Sequence, residues 1–399
     1  MMARFPGQGR APTAPNAPFA EGCVLRVLLA QCGGPTTVFN ASLAGALGAL
    51  RAAGAETWGV PAGARGLAEG RRFPIEGPVP AWLAAAPGAA LGAGRGQIDA
   101  AGLARVVSDL RAHGFEGCLL SGGNGTMALG AALEEAAHAA GYPLRIVGVP
   151  KTIDNDLEGT DHTPGFPSAA SFVAGAVRDL GDDLQSMAGF EDVRLIEVMG
   201  RRAGWLAAAA VLARRHPGDA PHFVLLPEQP LDPEAFVAEV RRRRAAEGPI
   251  LGVVAEGACD LDGVPLGQQS LDGRGHGQVL GGAAANLAAL LRERLGLRVR
   301  SESLGFLPRC LRTAQTARDR QEASLLGAAA AHALLAGRGG VMPGLAPGGG
   351  VQEVLLREVG GRERRIPAEM RDLGPRFEDW LRPLVDLPAA WPPAQLIRP

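Results

Sequence analysis

Ten residues concentrate more chemistry than any other stretch of the chain: Gly148-Val-Pro-Lys-Thr-Ile-Asp-Asn-Asp-Leu157. A lysine, a threonine and two aspartates follow the apolar run Leu144 to Val149, which reads as a buried parallel strand. Open α/β sheets gather ligands at the carboxyl ends of such strands. Lys151 is the only lysine, and the other 39 of the 40 basic residues are arginines. A compact ammonium fits against a phosphoryl oxygen or carboxylate where a planar guanidinium does not. The plainer readings are a lysine that survived by chance in a loop and an Asp156 that caps the next helix.

Two further loops have the same character. Gln31-Cys-Gly-Gly-Pro-Thr-Thr37 follows a strand at Val24 to Ala30 and opens onto a helix from Asn40 to Ala53. Ser121-Gly-Gly-Asn-Gly-Thr126 follows a strand at Gly117 to Leu120 and opens onto a helix from Met127 to Ala140. Strand, glycine loop and helix form a phosphate-binding arrangement, because free backbone N–H groups point out of the helix start. The first loop has the spacing of neither a Walker A nor a GxGxxG motif. Three such loops at one sheet edge point to a phosphate-binding crevice.

The positioning elements continue along the chain. A helix is expected over Gln97 to His113, and another over Ser168 to about Leu180. A strand at Val193 to Val198 is followed by Met199-Gly-Arg-Arg-Ala-Gly204 and an alanine-rich helix to Arg214. Strands are expected at Phe223 to Leu226, Pro249 to Ala255 and Leu297 to Ser301. Helices are expected at Phe236 to Ala246, Gly281 to Leu295 and Ala317 to Leu335. Residues 60 to 94 read as Gly/Pro-rich with a short helical patch, 258 to 278 as a glycine-rich insertion, and 351 to 356 as a short strand pair. The alternation predicts an α/β fold of two Rossmann-like lobes with mostly parallel sheets and a cleft between them. Residues 1–22 read as a flexible arm. The larger, donor-binding lobe is expected over 23–157 plus about 315–399, and the smaller, sugar-phosphate-binding lobe over 158–314.

Composition removes several classes. The chain has 399 residues, enough for two α/β domains, and a formal net charge of −1. That balance gives no reason to expect nucleic acid or an anionic membrane as partner. Cys23, Cys32, Cys118, Cys259 and Cys310 show no paired or metal-binding spacing and suit a reducing cytoplasm. No signal peptide is visible and no apolar run reaches membrane length.

These motifs, in this order over about residues 23 to 340, make the chain resemble the phosphofructokinase family. The matching residues are Gly33-Gly34 with Asn40, Gly122-Gly-Asn-Gly-Thr126, Pro150-Lys-Thr-Ile-Asp-Asn-Asp156, Glu197-Val-Met-Gly-Arg-Arg-Ala-Gly204, Glu256, and Leu304-Gly-Phe-Leu-Pro-Arg309 with Asp319-Arg320. The resemblance implies phosphorylation of D-fructose 6-phosphate at its 1-hydroxyl, with Mg2+. It assigns catalysis to Asp154, Lys151 and Arg201, Asp154 being the base. It places Thr152, Asp156, Met199, Gly200, Glu256, Arg309, Asp319 and Arg320 on the sugar-phosphate side. Gly33, Gly34, Arg95, Gly123, Asn124, Gly125 and Thr126 fall on the donor-phosphate side, and Asn124, Asp154 and Asp156 are the metal candidates. Family members assemble, so a homodimer or homotetramer is expected.

The donor is divided between two patterns. ATP-using relatives typically carry Gly-Gly-Asp-Gly, and Gly125 matches the glycine that leaves room for a nucleotide. Pyrophosphate-using relatives carry Pro-Lys before Thr-Ile-Asp, as here, and a similar first loop. The reading leans to pyrophosphate, with ATP, another sugar phosphate such as sedoheptulose 7-phosphate, and a silent sugar-phosphate-sensing relative as alternatives. Asn124 stands where an aspartate commonly helps hold magnesium. Asp192 stands where relatives supply an arginine to a neighbouring subunit, and Arg194, on the same strand face, is the candidate substitute.

Overall fold

A computed structural model describes residues 24–94, 96–267, 270–271 and 278–387, with side chains of 270–271 and 278–279 left aside. Thirteen strands and twelve α-helices alternate among them. The first part holds β1 (Arg26–Gln31), α1 (Phe39–Ala52), β2 (Glu56–Val60), α2 (Gly63–Ala68), β3 (Phe73–Pro74), α3 (Ala100–Ala112), β4 (Gly117–Gly122), α4 (Asn124–Ala139), β5 (Arg145–Pro150) and α5 (Phe166–Ser186). The middle holds β6 (Val193–Val198), α6 (Trp205–Ala208), β7 (Phe223–Leu225), α7 (Pro233–Glu247), β8 (Ile250–Ala255), β9 (Ser270–Leu271), β10 (Gln278–Val279), α8 (Ala283–Leu295) and β11 (Val299–Ser303). The last part holds α9 (Leu307–Cys310), α10 (Ala317–Leu335), β12 (Val341–Leu345), β13 (Val351–Leu355), α11 (Leu356–Val359) and α12 (Pro375–Leu381).

Two sheets carry the lobes. The larger has seven strands in the order β13-β12-β5-β4-β1-β2-β3, and the smaller has four in the order β11-β6-β8-β7. The strands β5, β4, β1 and β2 run parallel, as do all four of the smaller sheet. The residues of β4, β5, β6 and β8 are buried on both faces, which is why these four read as continuous hydrophobic runs. Helices α1 and α10 cover one face of the larger sheet and touch backbone to backbone. A Cβ at Gly45 would sit 2.0 Å from the Ser324 carbonyl oxygen, and one at Gly327 2.0 Å from that of Ser42. Only glycine permits that approach, so either substitution would force the helices apart.

The C-terminal segment departs from expectation. Its start completes the larger sheet, but Ile366, Leu373, Phe377, Leu381 and Leu384 are buried in the core formed by α5, α6 and β8. Trp380 packs on Phe166, Trp205 and Phe377 with ring centroids 5.0 to 6.0 Å apart. Residues past about 366 therefore pack on the smaller lobe, and assigning 315–399 wholly to the larger lobe is corrected. Burial of the apolar face of α12, Phe377 and Leu381, against that core holds the segment there.

Five strands escaped the sequence reading: β2, β3, β9, β10 and β12. β12 contains Pro343 and Gly344, which ordinarily argue against a strand. Here β12 pairs with β5 only at Val341, and Gly344 lies close against Gly159 and Thr160, where a side chain would not fit. Helix α5 runs to Ser186, past the expected Leu180. The 258–278 insertion lies partly outside the described residues.

Candidate active site

The three loops of the larger sheet lie side by side because β1, β4 and β5 are neighbours in register. Ser121 pairs with Gln31 on one side and Val149 on the other. The chain then ties the loops together: Cys32 N–H donates to the Ser121 carbonyl at 2.8 Å, and Lys151 N–H to that of Gly122 at 3.0 Å. Gly33 N–H donates to the Gly94 carbonyl at 3.0 Å, which brings the segment beside Arg95 against the first loop. Arg95 itself lies outside the described residues. Buried Gln31 and Asn40 fix that segment, accepting from Leu91 N–H and Ala90 N–H at 3.0 and 2.7 Å.

Lys151 is buried between the first and third loops. Its Nζ donates to the Gly34 carbonyl at 2.6 Å and stands 4.7 Å from the centre of the Phe39 ring. Arg309, from α9, reaches the same loop: a Cβ on Gly34 would fall 2.6 Å from its Nη1. Gly123 caps α4, whose first turn is Asn124, Gly125 and Thr126. A Cβ at Gly125 meets nothing within 4 Å, so the space beyond it is open.

The acidic loop has a rigid frame. Asn155 adopts a left-handed backbone (φ 54°), and its Oδ1 accepts from Thr163 N–H at 3.0 Å. Thr152 Oγ1 accepts from Asp154 N–H at 3.1 Å. This frame turns Asp154 and Asp156 into a cavity of about 210 Å3, lined also by Arg201, Arg202, Ala203 and Glu363. Burial, then the Asp154 charge, push Asp156 up to about 7. Asp156 Oδ1 is buried without a hydrogen-bond partner among the described residues. An orphaned carboxylate oxygen beside a second carboxylate suits a magnesium ion, which takes one or two carboxylates and completes its shell with water and phosphate. Among the described residues no group of three acids, histidines or cysteines forms a full metal cage. Asn124 does not fit the ion, because both ends of its amide are committed. Its Nδ2 donates to the carbonyls of Asp156 and Arg362, and its Oδ1 accepts from Gly361 N–H at 3.0 Å.

The smaller sheet supplies the opposite wall. Val198 pairs with Ala255, so the loops after β6 and β8 adjoin. Gly257 N–H donates to the Gly200 carbonyl at 3.0 Å. A Cβ on Gly257 would sit 1.8 Å from the Arg201 carbonyl oxygen, so no other residue allows this contact. Glu256 faces Arg201 at 3.9 Å and is pushed up to about 7 by burial and by Asp154 across the cleft. Met199 is half-buried against the core beneath.

Other expected residues fall elsewhere. Asp319 is fully buried: its carboxylate accepts from Gly165 N–H at 2.9 Å and Ser168 N–H at 3.1 Å, capping α5. Arg320 bonds Gln315 at 3.5 Å. Arg194 is not available to a neighbouring subunit, because its buried guanidinium pairs with Glu191 at 2.9 Å and Asp183 at 2.7 Å. Asp192 is held by Arg244 at 2.8 Å and Arg298 at 3.0 Å. Glu363, Arg202 and the buried Glu228 were missed. Glu228 accepts from Gly204 N–H at 3.0 Å and Ile366 N–H at 3.2 Å. No spacing in the sequence announces Glu363, since the fold brings it from beyond β13.

Comparison with known proteins agrees with this architecture. The model of the family described as "Phosphofructokinase" matches residues 26–334. A sulfofructose kinase of Alkalicoccus urumqiensis is 35% identical over 379 residues, 91% of this chain and 96% of its own. A pyrophosphate–fructose 6-phosphate 1-phosphotransferase of Xanthomonas campestris is 39% identical over 328 residues, 79% of this chain and 78% of its own. An ATP-dependent 6-phosphofructokinase of Thermus thermophilus is 35% identical over 345 residues, 86% of this chain and 95% of its own. The crystal structure of a pyrophosphate-dependent phosphofructokinase from Marinobacter aquaeolei superposes with a TM-score of 0.80 at 28% identity, covering 94% of both chains.

Proposed function

The chain belongs to the phosphofructokinase family and is a phosphotransferase, and on that premise we propose that it phosphorylates D-fructose 6-phosphate at the 1-hydroxyl, with inorganic pyrophosphate as donor. The observation that carries the reading is the shared cavity: Asp154 and Asp156 from the larger lobe line it with Arg201 from the smaller. Phosphoryl transfer asks a protein for positioned cations and an acceptor for the hydroxyl proton, and little covalent work.

Asp154 accepts the proton of the 1-hydroxyl as that oxygen bonds to phosphorus and the bond to the bridging oxygen breaks. Arg201 grips the transferring phosphoryl group, for which a planar guanidinium is suited. Lys151, seated between the glycine loops, neutralises donor oxygens. Asp154 and Asp156 would hold Mg2+, which supplies charge neutralisation for the phosphates. Asp319 contributes by fixing the start of α5, and Glu256 by facing the sugar.

Support for pyrophosphate comes from buried Lys151 and from the named relatives in Xanthomonas and Marinobacter. One observation favours ATP instead: the open space beyond Gly125, which leaves the donor loop unblocked. Purified protein with Mg2+, fructose 6-phosphate and either donor should yield fructose 1,6-bisphosphate, faster with pyrophosphate. Turnover with ATP alone would overturn the donor assignment. Bisphosphate from neither donor, in folded protein, would overturn the substrate, and sulfofructose is then the first sugar to test.

A further inference from the structure

The family match ends at residue 334, but the cavity is lined by a residue well beyond it. Residues 360–366 leave α11 and cross from the larger lobe to the smaller. At the near end the strap sits directly on α4: a Cβ on Gly360 would lie 2.7 Å from Ala128 Cα. Asn124 then grips it with two hydrogen bonds, accepting from Gly361 N–H and donating to the Arg362 carbonyl, and ties it to the acidic loop by also donating to the Asp156 carbonyl. Arg364 N–H donates to the Asp156 carbonyl at 2.9 Å. At the far end the Arg364 carbonyl accepts from Trp205 Nε1 at 3.0 Å, and Ile366 N–H donates to Glu228 at 3.2 Å. Between these anchors Glu363 enters the cavity that holds Asp154 and Asp156. Its carboxylate takes Arg202 Nη1 at 3.1 Å.

We propose that this strap is a working part of the site: Asn124 latches it, and Glu363 is a positioning residue that holds Arg202 toward the donor phosphate. The second half rests on the donor chemistry proposed above. Arg202 is 70% exposed, and an arginine that exposed has many rotamers. Pairing with a carboxylate fixed on an anchored strap removes most of them. The Glu363 charge still reaches Asp156, and its pairing with Arg202 limits the repulsion of an incoming anion.

The latch also accounts for the amide at residue 124. An aspartate there could still accept from Gly361 N–H. It would lose both N–H donors and set its charge against two carbonyl oxygens.

The full chain carries the test. Hydrogen–deuterium exchange compares the strap amides of wild type and Asn124→Asp, and steady-state kinetics uses pyrophosphate and ATP as varied donors. Exchange over 361–366 should quicken at least about tenfold in Asn124→Asp, with the donor KM raised. Glu363→Gln should raise the donor KM by about tenfold, leave the sugar-phosphate KM near wild type, and leave exchange unchanged. Glu363→Asp should recover part of that loss. Unchanged exchange in Asn124→Asp would overturn the latch, whatever the activity. An unchanged donor KM in Glu363→Gln would overturn the positioning role. A wild type inactive with both donors would overturn that role together with the donor chemistry, while exchange still decides the latch.

Discussion

At the scale of single residues, the site depends on where carboxylates are placed and how hard it is to ionise them. Asp154→Asn is nearly isosteric and keeps the backbone N–H bond to Thr152, so the fold should hold. Sugar-phosphate binding should persist while kcat falls by two to four orders of magnitude, the range for removing a general base. An unchanged single-turnover rate would remove Asp154 from that role. Asp156 and Glu256 set the pH behaviour. Burial raises both to about 7, so in the free enzyme they gain their charges only near neutrality. Because Asp154 and Asp156 interact, the profile reports the pair. kcat/KM should climb as pH rises through about 7, and an apparent pKa near the ordinary carboxylate value would contradict this environment. Saturating Mg2+ should move the rise to lower pH, because a cation favours the ionised acids.

At the scale of elements, the largest lesson concerns caps. Helix α5 begins at Gly165-Phe166, and the N–H groups of its start are satisfied by Asp319 from α10, a residue 154 positions from Gly165. Adjacency to Arg320 in a motif suggests a ligand role, but tertiary packing gives Asp319 the cap. The pKa of Asp319 is raised to about 6 by burial, and the two N–H donors counter that cost. Asp319→Ala should lower stability by about 2 kcal/mol, from the lost cap and the N–H groups left unpaired. It should also loosen the Thr152–Gly165 bridge beneath the acidic loop. Chemical denaturation would check the first, and an effect within error would contradict it. Helix periodicity placed α10 to the residue and α1 and α8 within two residues, but it began α4 three residues late, at Met127 instead of Asn124. It could not find β12, whose proline and glycine are tolerated where β12 pairs with β5 only at Val341 and Gly344 lies against Gly159 and Thr160.

At the scale of the whole molecule, the two lobes are stitched by polar contacts as well as by the aromatic core. His162 is buried with Asp161 on Nδ1 at 2.9 Å and Glu322, from α10, on Nε2 at 2.8 Å. Arg318 pairs with Glu322, Trp380 donates to Asp161, and Arg364 lies near enough to influence Asp161. Burial alone would lower the His162 pKa, but the two hydrogen-bonded carboxylates outweigh it and raise it above the ordinary 6.5. A raised folded-state pKa means stabilisation that is complete below 6.5 and declines as pH rises through the folded value. His162→Gln should therefore cost more stability at pH 6 than at pH 8.5. Equal losses at both would show that the imidazolium is not the stabilising form. The described residues contain no helix long and apolar enough to cross a membrane.

What the sequence determined alone was local. Apolar runs of strand length, each ended by glycines or acids, specify parallel strands and the loops at their carboxyl ends. Those loops hold Lys151, Asp154 and the Arg201 turn, because chain neighbours need no fold to be neighbours. The tertiary structure decided everything that joins distant residues. It turned Asn124 into a strap anchor, gave Arg194 to buried ion pairs, capped α5 with Asp319, and brought Glu363 to the cavity. Hydrogen bonds and burial between remote segments have no period in the sequence, so only the packed chain reveals which polar groups are already spoken for.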